Sequence, residues 1–169
     1  MNRHIPLYEG QFDTNDIFII SAIIILYLLI CLSPKIFSKK STSFLLVFYS
    51  ITIASIFDNS IGAHIFDYYD IMDGKKYTIM DLVVYLVYGP FGYFFIYIYE
   101  RYKIRGHWVL IYLLAWTFVS LLFEFLNVRL GVFTYKNGYK WYFSIPIYMY
   151  VQLLLFYLYK LIIKENKVI

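Results

Sequence analysis

Three carboxylic acids stand in or beside long apolar runs, and they are the residues of this chain best suited to chemistry. Asp58 ends one apolar run, Asp81 begins the next, and Glu124 lies between Phe123 and Phe125 near the end of another. A carboxylate within a bilayer costs about 2.5–3.5 kcal/mol, so each group should face water or a protein partner. Carboxyl groups in such places can bind an ion or transfer a proton.

Five apolar runs must position these carboxylates, and each is about as long as a helix that spans a bilayer. Hydrophobic residues make up 62% of the chain and charged residues 15%, far from the balance of a soluble domain. Only helices or closed barrels satisfy their backbone groups in lipid. The sequence therefore predicts an all-α, polytopic membrane protein, with one transmembrane domain over residues 1–169. The predicted helices cover residues 17–32, 42–65, 79–99, 108–128 and 143–163.

Polar residues recur at helical spacing on four of these five helices. On the fourth helix, for example, Thr117, Ser120, Glu124 and Asn127 share one face because they are three or four residues apart. The first helix is almost entirely apolar, so we expect it at the periphery of the bundle. Antiparallel helices would bring the three carboxylates to one leaflet, which predicts a polar pocket there. The candidate binding residues are Asp58, Asp81, Tyr85, Tyr88, Ser120, Glu124, Asn127, Arg129 and Gln152.

The distribution of lysine and arginine predicts the orientation of the bundle. The loops after the first and third helices, together with the carboxyl-terminal tail, hold nine of these cations, and the opposite side holds six. Cytoplasmic loops carry the excess of positive charge. We therefore expect the amino terminus outside the cell, the carboxyl terminus in the cytoplasm, and the polar pocket facing outward.

A structural explanation competes with the functional one for each candidate residue. Hydroxyl and amide side chains can simply join helices, through hydrogen bonds worth about 0.6 kcal/mol each. Asp81 can serve as the amino-terminal carboxylate that a helix dipole favours. Glu124 can pair with Arg129, its nearest cation in the sequence. Burial favours the neutral form of Glu124 and a nearby arginine favours the charged form, so its charge state stays open.

Two local signals concern the shape of the helices and loops. Gly89-Pro90 lies inside the third predicted helix and should distort it, because Pro90 has no N–H to donate to the carbonyl of Leu86. Residues 129–142 are predicted to form a loop with a turn near Asn137-Gly138, and Asp73-Gly74 marks another turn.

The sequence contains no recognised motif for a cofactor, a metal or nucleic acid. His64, Asp58 and Asp67 lie near one another, but their spacing matches no specific ligand pattern, so we predict neither a metal site nor a cofactor. Because the basic residues lie in short loops beside helices, nucleic acid is not an expected partner. The predicted partners are the lipid bilayer and either a second copy of the chain or another membrane protein.

Part of the chain resembles a known family. The residues that carry the likeness are Asp58, Asp81, Leu82, Gly89, Pro90, Glu124, Gly131, Phe133, Tyr135, Gly138, Trp141 and Ser144. From Asp58 to about Tyr159, the chain resembles an uncharacterised family of small multipass membrane proteins from low-GC Gram-positive, often spore-forming, bacteria. The resemblance implies a protein of the bacterial plasma membrane and implies no activity. More loosely, Glu124, Gly131, Tyr135 and Pro146 are similar to positions in membrane carotenoid-modifying enzymes.

Two functions are compatible with these residues. The first is a non-enzymatic membrane protein whose polar pocket binds an ion, a lipid headgroup or a partner helix. The second is a membrane enzyme that acts on a lipid or isoprenoid, with protonated Glu124 as general acid and Asp81 or Asp58 as its partner. An enzyme requires Glu124 and Asp81 to converge on an apolar cavity away from Arg129. A purely structural bundle requires a Glu124–Arg129 pair and no cavity.

Overall fold

The computed structural model describes residues 12–64, 66–72 and 78–166. Its main elements are helices, and five segments are long and apolar enough to cross a membrane. These segments are Thr14–Leu32, Lys40–Gly62, Ile79–Arg101, Trp108–Arg129 and Trp141–Glu165. The predicted turn at Asp73-Gly74 and four of the cations counted above lie outside the described residues; these cations are Arg3, Lys75, Lys76 and Lys167.

Helix α1 (Thr14–Leu32) begins at a capping box and ends before a proline. The Asp13 side chain accepts a hydrogen bond from the backbone N–H of Asn15 at 2.9 Å, and the Asp16 side chain accepts one from the N–H of Asp13 at 2.8 Å. Ser33 ends the helix immediately before Pro34. Because Ile19 is the one apolar residue of α1 that is buried, the helix packs at the edge of the bundle, as its composition predicts.

The second and third spans are less regular than predicted. Helix α2 (Lys40–Phe57) does not continue as an α-helix to residue 65, because a π-helical segment follows it over Asp58–His64. The third span consists of α3 (Ile79–Val84), a 3₁₀ turn (Tyr85–Val87) and α4 (Tyr88–Arg101). The 3₁₀ turn includes Leu86, whose carbonyl cannot accept a hydrogen bond from Pro90. The distortion predicted from Gly89-Pro90 therefore appears as a change of helix type.

The last two spans are joined through a short strand that the all-α prediction did not contain. Helix α5 (Trp108–Arg129) is followed by β2 (Phe133–Tyr135), and α6 (Ser144–Asn166) follows a single 3₁₀ turn (Trp141–Phe143). Strand β2 pairs antiparallel with β1 (Tyr69–Ile71), which lies between α2 and α3. The predicted turn at Asn137-Gly138 is present, with positive φ at both residues, as a tight turn of this type requires.

Contacts between the loops and helix ends show which ends of the spans lie together. At one end, the Asn15 side chain donates to the carbonyl of Gly131 at 3.5 Å, and the Asn59 side chain donates to the Tyr85 hydroxyl at 3.1 Å. At the other end, the ring of Phe37, from the loop between α1 and α2, packs against that of Tyr159. The end that holds Asn15 and Asn59 also carries the two-stranded sheet, and we call it the sheet end.

Gly92 of α4 packs tightly against Ser50 of α2. A Cβ atom at residue 92 would lie 1.9 Å from the Oγ of Ser50 and 2.7 Å from its Cβ. The hydroxyl of Ser50 cannot move away freely, since it donates to the carbonyl of Leu46 at 2.7 Å. Only glycine fits at residue 92, and this contact sets the spacing of α2 and α4.

We expect Gly92→Ala to destabilise the protein. Overpacking costs about 1–3 kcal/mol, which exceeds the gain of up to about 1 kcal/mol in helix propensity. The measurement is the free energy of unfolding in a titration with SDS, followed by circular dichroism in mixed micelles. Ser50→Gly should restore part of the loss in the double variant. Ala115→Val, on the exposed face of α5, is the control, and an equal loss in this control would contradict the close contact.

Candidate functional site

A cavity of about 160 Å³ lies inside the bundle. Its described lining comes from α2, α4, α5, α6 and the two strands, together with residues next to these elements; no described residue of α1 contributes. Twelve of the 26 lining residues are aromatic, and two are the carboxylic acids Asp58 and Glu124. The exposed fractions of these two residues are 8% and 4%. The cavity thus combines an aromatic wall with two buried carboxyl groups.

Asp58 lies where α2 changes into the π-helical segment, and two tyrosines hold its carboxyl group. The Tyr69 hydroxyl donates to Oδ1 at 2.6 Å, and the Tyr88 hydroxyl donates to Oδ2 at 2.9 Å. Tyr69 belongs to β1 and Tyr88 is the first residue of α4. Both oxygens of Asp58 therefore accept hydrogen bonds from other elements of the fold.

Glu124 lies in the last two turns of α5, and three hydroxyl groups donate to its carboxyl group. Tyr135 of β2 and Ser144 at the start of α6 both donate to Oε1, Ser144 at 2.7 Å. Tyr148, one turn further along α6, donates to Oε2 at 2.8 Å. Because a hydroxyl has one proton, Ser144 must itself accept the hydrogen bond that joins it to Tyr139 at 2.9 Å.

The hydroxyl groups around Asp58 and Glu124 provide hydrogen-bond donors for ionised carboxyl groups. A carboxylate only accepts hydrogen bonds, whereas a protonated carboxyl group must also donate one. The described hydroxyls around Asp58 and Glu124 all donate to them. The arrangement can therefore satisfy both carboxyl groups with hydrogen bonds when they are ionised.

The two-stranded sheet connects the two carboxylates. Tyr69 and Tyr135 are directly opposite each other across the strand pair, so their side chains lie on the same face of the sheet. Tyr69 donates to Asp58 and Tyr135 donates to Glu124. Burial, followed by interaction with the adjacent carboxylate, raises the pKa of each tyrosine above its usual value of 10.0. Both tyrosines therefore keep the protons that they donate.

Ion pairs on the outer side of the sheet hold its two loops together. The Nζ atom of Lys136 contacts Asp67 Oδ1 at 3.0 Å and also contacts Asp70. The Asn137 side chain donates to the carbonyl of Asp67 at 2.7 Å. Hydrogen bonds to Asp70 and then Asp67 raise the pKa of Lys136, although its small desolvation acts in the opposite direction. These contacts join the two loops in the register that aligns Tyr69 with Tyr135.

Six of the nine candidate binding residues line this cavity. They are Asp58, Tyr88, Ser120, Glu124, Asn127 and Gln152. Gln152 of α6 donates to the Thr117 hydroxyl of α5 at 3.1 Å, and Ser120 donates to the carbonyl of Trp116 in its own helix at 3.0 Å. These two polar groups thus have protein partners and contribute polar atoms to the cavity wall.

The other three candidates, Asp81, Tyr85 and Arg129, are not in the cavity lining. Asp81 forms a capping box with Thr78 at the start of α3, where its Oδ2 accepts from the Thr78 N–H at 2.5 Å. The guanidinium of Arg129 lies 4.9 Å from the centre of the Phe125 ring. Among the described residues, Glu124 forms no ion pair with Arg129. The structure thus departs from both the Glu124–Asp81 arrangement and the Glu124–Arg129 pair.

Five residues of the site were not among the predicted binding residues: Tyr69, Tyr135, Tyr139, Ser144 and Tyr148. Ser144 and Tyr148 were detectable, because their spacing of four residues places them on one face of α6 together with Gln152. Tyr69 and Tyr135 lie in strands of three residues, too short to give a clear alternating pattern. Their position depends on the pairing of two loops that are distant in the sequence.

The described lining of the cavity contains no lysine, arginine or histidine. Nor do the described residues contain a group of three or more histidine, cysteine, aspartate or glutamate side chains that could hold a metal ion. No family model, curated protein or solved structure matches the chain. The geometry of the cavity is therefore the basis for any functional assignment.

We expect Tyr148→Phe to lower the free energy of unfolding by about 1.5–3 kcal/mol, because it removes a hydrogen bond to a charged group. The measurement is unfolding in mixed micelles, as for Gly92. Tyr157→Phe changes an exposed tyrosine of the same helix and is the matched control. In a Glu124→Gln background, the loss caused by Tyr148→Phe should be smaller, since the charge is absent. Equal losses in both backgrounds would contradict an ionised Glu124.

Proposed function

We propose that this chain is an integral membrane protein whose cavity binds the polar head of a small amphipathic molecule without chemical conversion. The observation that carries the proposal is the combination, in one cavity of about 160 Å³, of a mainly apolar wall with two buried carboxyl groups. Binding sites for small molecules are concave and mostly apolar, with a few polar groups that fix orientation.

The size and chemistry of the cavity favour a headgroup over the other occupants. A helix with its side chains is about 10–12 Å across, too wide for this cavity. A cavity of about 150 Å³ holds a molecule the size of benzene. The oxygens of Asp58 and Glu124 already accept hydrogen bonds from hydroxyls, so they are poorly arranged to surround a bare metal ion. A group about as large as a lipid headgroup or a small amine fits better.

The second candidate is an enzyme that acts on a lipid or isoprenoid by carboxyl acid–base chemistry. The observation in its favour is that Asp58 and Glu124 line the same aromatic cavity. A general acid must carry a proton to donate. We rank this function second, because three hydroxyls can donate to Glu124 and so stabilise the form without a proton.

We place the protein in the plasma membrane of a bacterium, with the amino terminus and the sheet end outside. The unequal distribution of lysine and arginine supports this orientation, since cytoplasmic loops carry the excess. Membership of the family that the sequence resembles, and association with a second copy or another membrane protein, stay predictions.

The orientation can be tested with single cysteines in a Cys31→Ser background. We expect Lys140→Cys to react in intact cells with a maleimide that cannot cross the membrane, because residue 140 is exposed near the sheet end. Tyr102→Cys, whose parent residue is 74% exposed in the loop after α4, should react only after the membrane is permeabilised. The reverse pattern would place the sheet end in the cytoplasm.

Occupancy of the cavity can be measured through Trp116, which lines it. Trp108→Phe and Trp141→Phe leave Trp116 as the only tryptophan, and 2,2,2-trichloroethanol serves as a small amphipathic quencher. We expect a saturable component of quenching in addition to the linear component caused by partition into lipid. Ala54→Phe fills the cavity and should abolish the saturable component, whereas Ala115→Phe on the exposed face of α5 should retain it. Purely linear quenching in the parent protein would overturn the proposed function.

A further inference from the structure

We infer that the group bound beside Asp58 and Glu124 is an organic ammonium ion, that is, a protonated or quaternary alkylamine. The inference rests on the proposed function, because it names the ligand class of the same cavity. It depends on three features of the lining: the two carboxyl groups, the chemistry of their partners, and the aromatic wall.

The first argument is the balance of charge. Asp58 and Glu124 are both buried, and their described hydrogen-bond partners are neutral hydroxyl groups. Described ion pairs elsewhere involve Glu100, Asp67 and Asp70, each with a basic side chain. A buried carboxylate is costly unless it is paired, and two neighbouring carboxylates also repel each other. A cation in the cavity would offset both costs.

The second argument is the aromatic wall. Tyr88, Phe91 and Trp116 are among the twelve aromatic residues that line the cavity. Aromatic faces attract cations, and cages of aromatic side chains are the usual binding site for quaternary ammonium groups. An inorganic ion would gain less from this wall, because it would lose its hydration shell and the carboxyl oxygens already accept hydrogen bonds from hydroxyls. An anion would be repelled by both carboxylates.

The third argument is the geometry of the hydroxyl groups. Each carboxylate is held by hydroxyls from different elements: Asp58 by β1 and α4, and Glu124 by β2 and α6. Such contacts fix the position of a charge without neutralising it, because a hydroxyl carries no net charge. The negative potential of both groups is thus available to a ligand in the low dielectric of the cavity.

The test compares choline with 3,3-dimethylbutan-1-ol, which has the same shape but a neutral carbon in place of the charged nitrogen. The protein with Trp116 as its only tryptophan is placed in nanodiscs of phosphatidylglycerol, and each compound is titrated against Trp116 fluorescence. We expect choline to bind at least about tenfold more tightly, since ion pairing and cation–π attraction both require the charge. Equal affinities, with saturable trichloroethanol quenching retained, would overturn the inference and leave the proposed function intact.

Two variants test whether the carboxylates cause the tighter binding of choline relative to its neutral analogue. Glu124→Gln and Asp58→Asn should each weaken choline binding about tenfold or more and leave the affinity for 3,3-dimethylbutan-1-ol nearly unchanged. Glu100→Gln, in the pair with Arg105 outside the cavity lining, and Asp13→Asn, at the exposed start of α1, are the matched controls. If all four variants bind choline as the parent does, the carboxylates do not select the cation and the inference fails. If a variant does not fold, the comparison of choline with its neutral analogue on the parent chain still tests the inference.

The ammonium group can belong to a lipid headgroup or to a free amine. Nanodiscs that contain phosphatidylethanolamine or phosphatidylcholine distinguish these sources, because a bound headgroup would reduce the response to free choline in proportion to the lipid added. A response that depends on added lipid identifies the headgroup, and an unchanged response identifies the free amine. If no compound produces a saturable change, both the inference and the proposed function fail.

Discussion

The burial of two carboxyl groups, Asp58 and Glu124, is the constraint around which the sheet end of the bundle is organised. Each group needs hydrogen-bond donors inside an apolar bundle, and the donors come from four different elements. The irregular backbone lies beside these groups: the π-helical segment begins at Asp58, and the 3₁₀ turn of the third span ends next to Tyr88. Non-helical backbone at membrane depth is tolerated where it lines a cavity or is buried in protein. The helices are thus irregular at the positions where the polar groups meet.

The spans and the two cavity carboxylates could be predicted from the sequence. Each depends on the transfer free energy of a single residue or a single apolar run, and not on contacts between distant segments. An apolar run of about 20 residues has few alternatives to a spanning helix. A carboxylate in such a run must have a partner, whatever the partner is. The same reasoning also predicted Asp81 as a binding residue, but Asp81 does not line the cavity. The pattern Thr78-x-x-Asp81 is that of a capping box, and this local function accounts for the residue at the start of α3.

The partners could not be predicted, because they depend on how separate segments meet. Arg129 is the nearest cation to Glu124 in the sequence, but five residues of a helix correspond to a rotation of about 140° between the two side chains. Phe125 is four residues from Arg129, on nearly the same face, and this is the ring that the guanidinium covers. The donors Tyr69 and Tyr135 lie in two loops whose strands have only three residues each. Strands of that length carry no clear periodic signal, and the ion pairs beside them join residues that are distant in the sequence.

The choice of tyrosine and serine, in place of lysine or arginine, gives the cavity its chemical character. An arginine beside Glu124 would have satisfied the carboxylate and removed its net charge from the cavity. Hydroxyl donors satisfy the lone pairs but leave the charge, and their own high pKa values keep them protonated at Tyr69 and Tyr135. When both carboxyl groups are ionised, two like charges lie in a low dielectric, and this lowers the stability of the empty bundle. The proposed binding function gives these buried carboxyl groups a purpose that packing alone does not, because apolar side chains would pack as well.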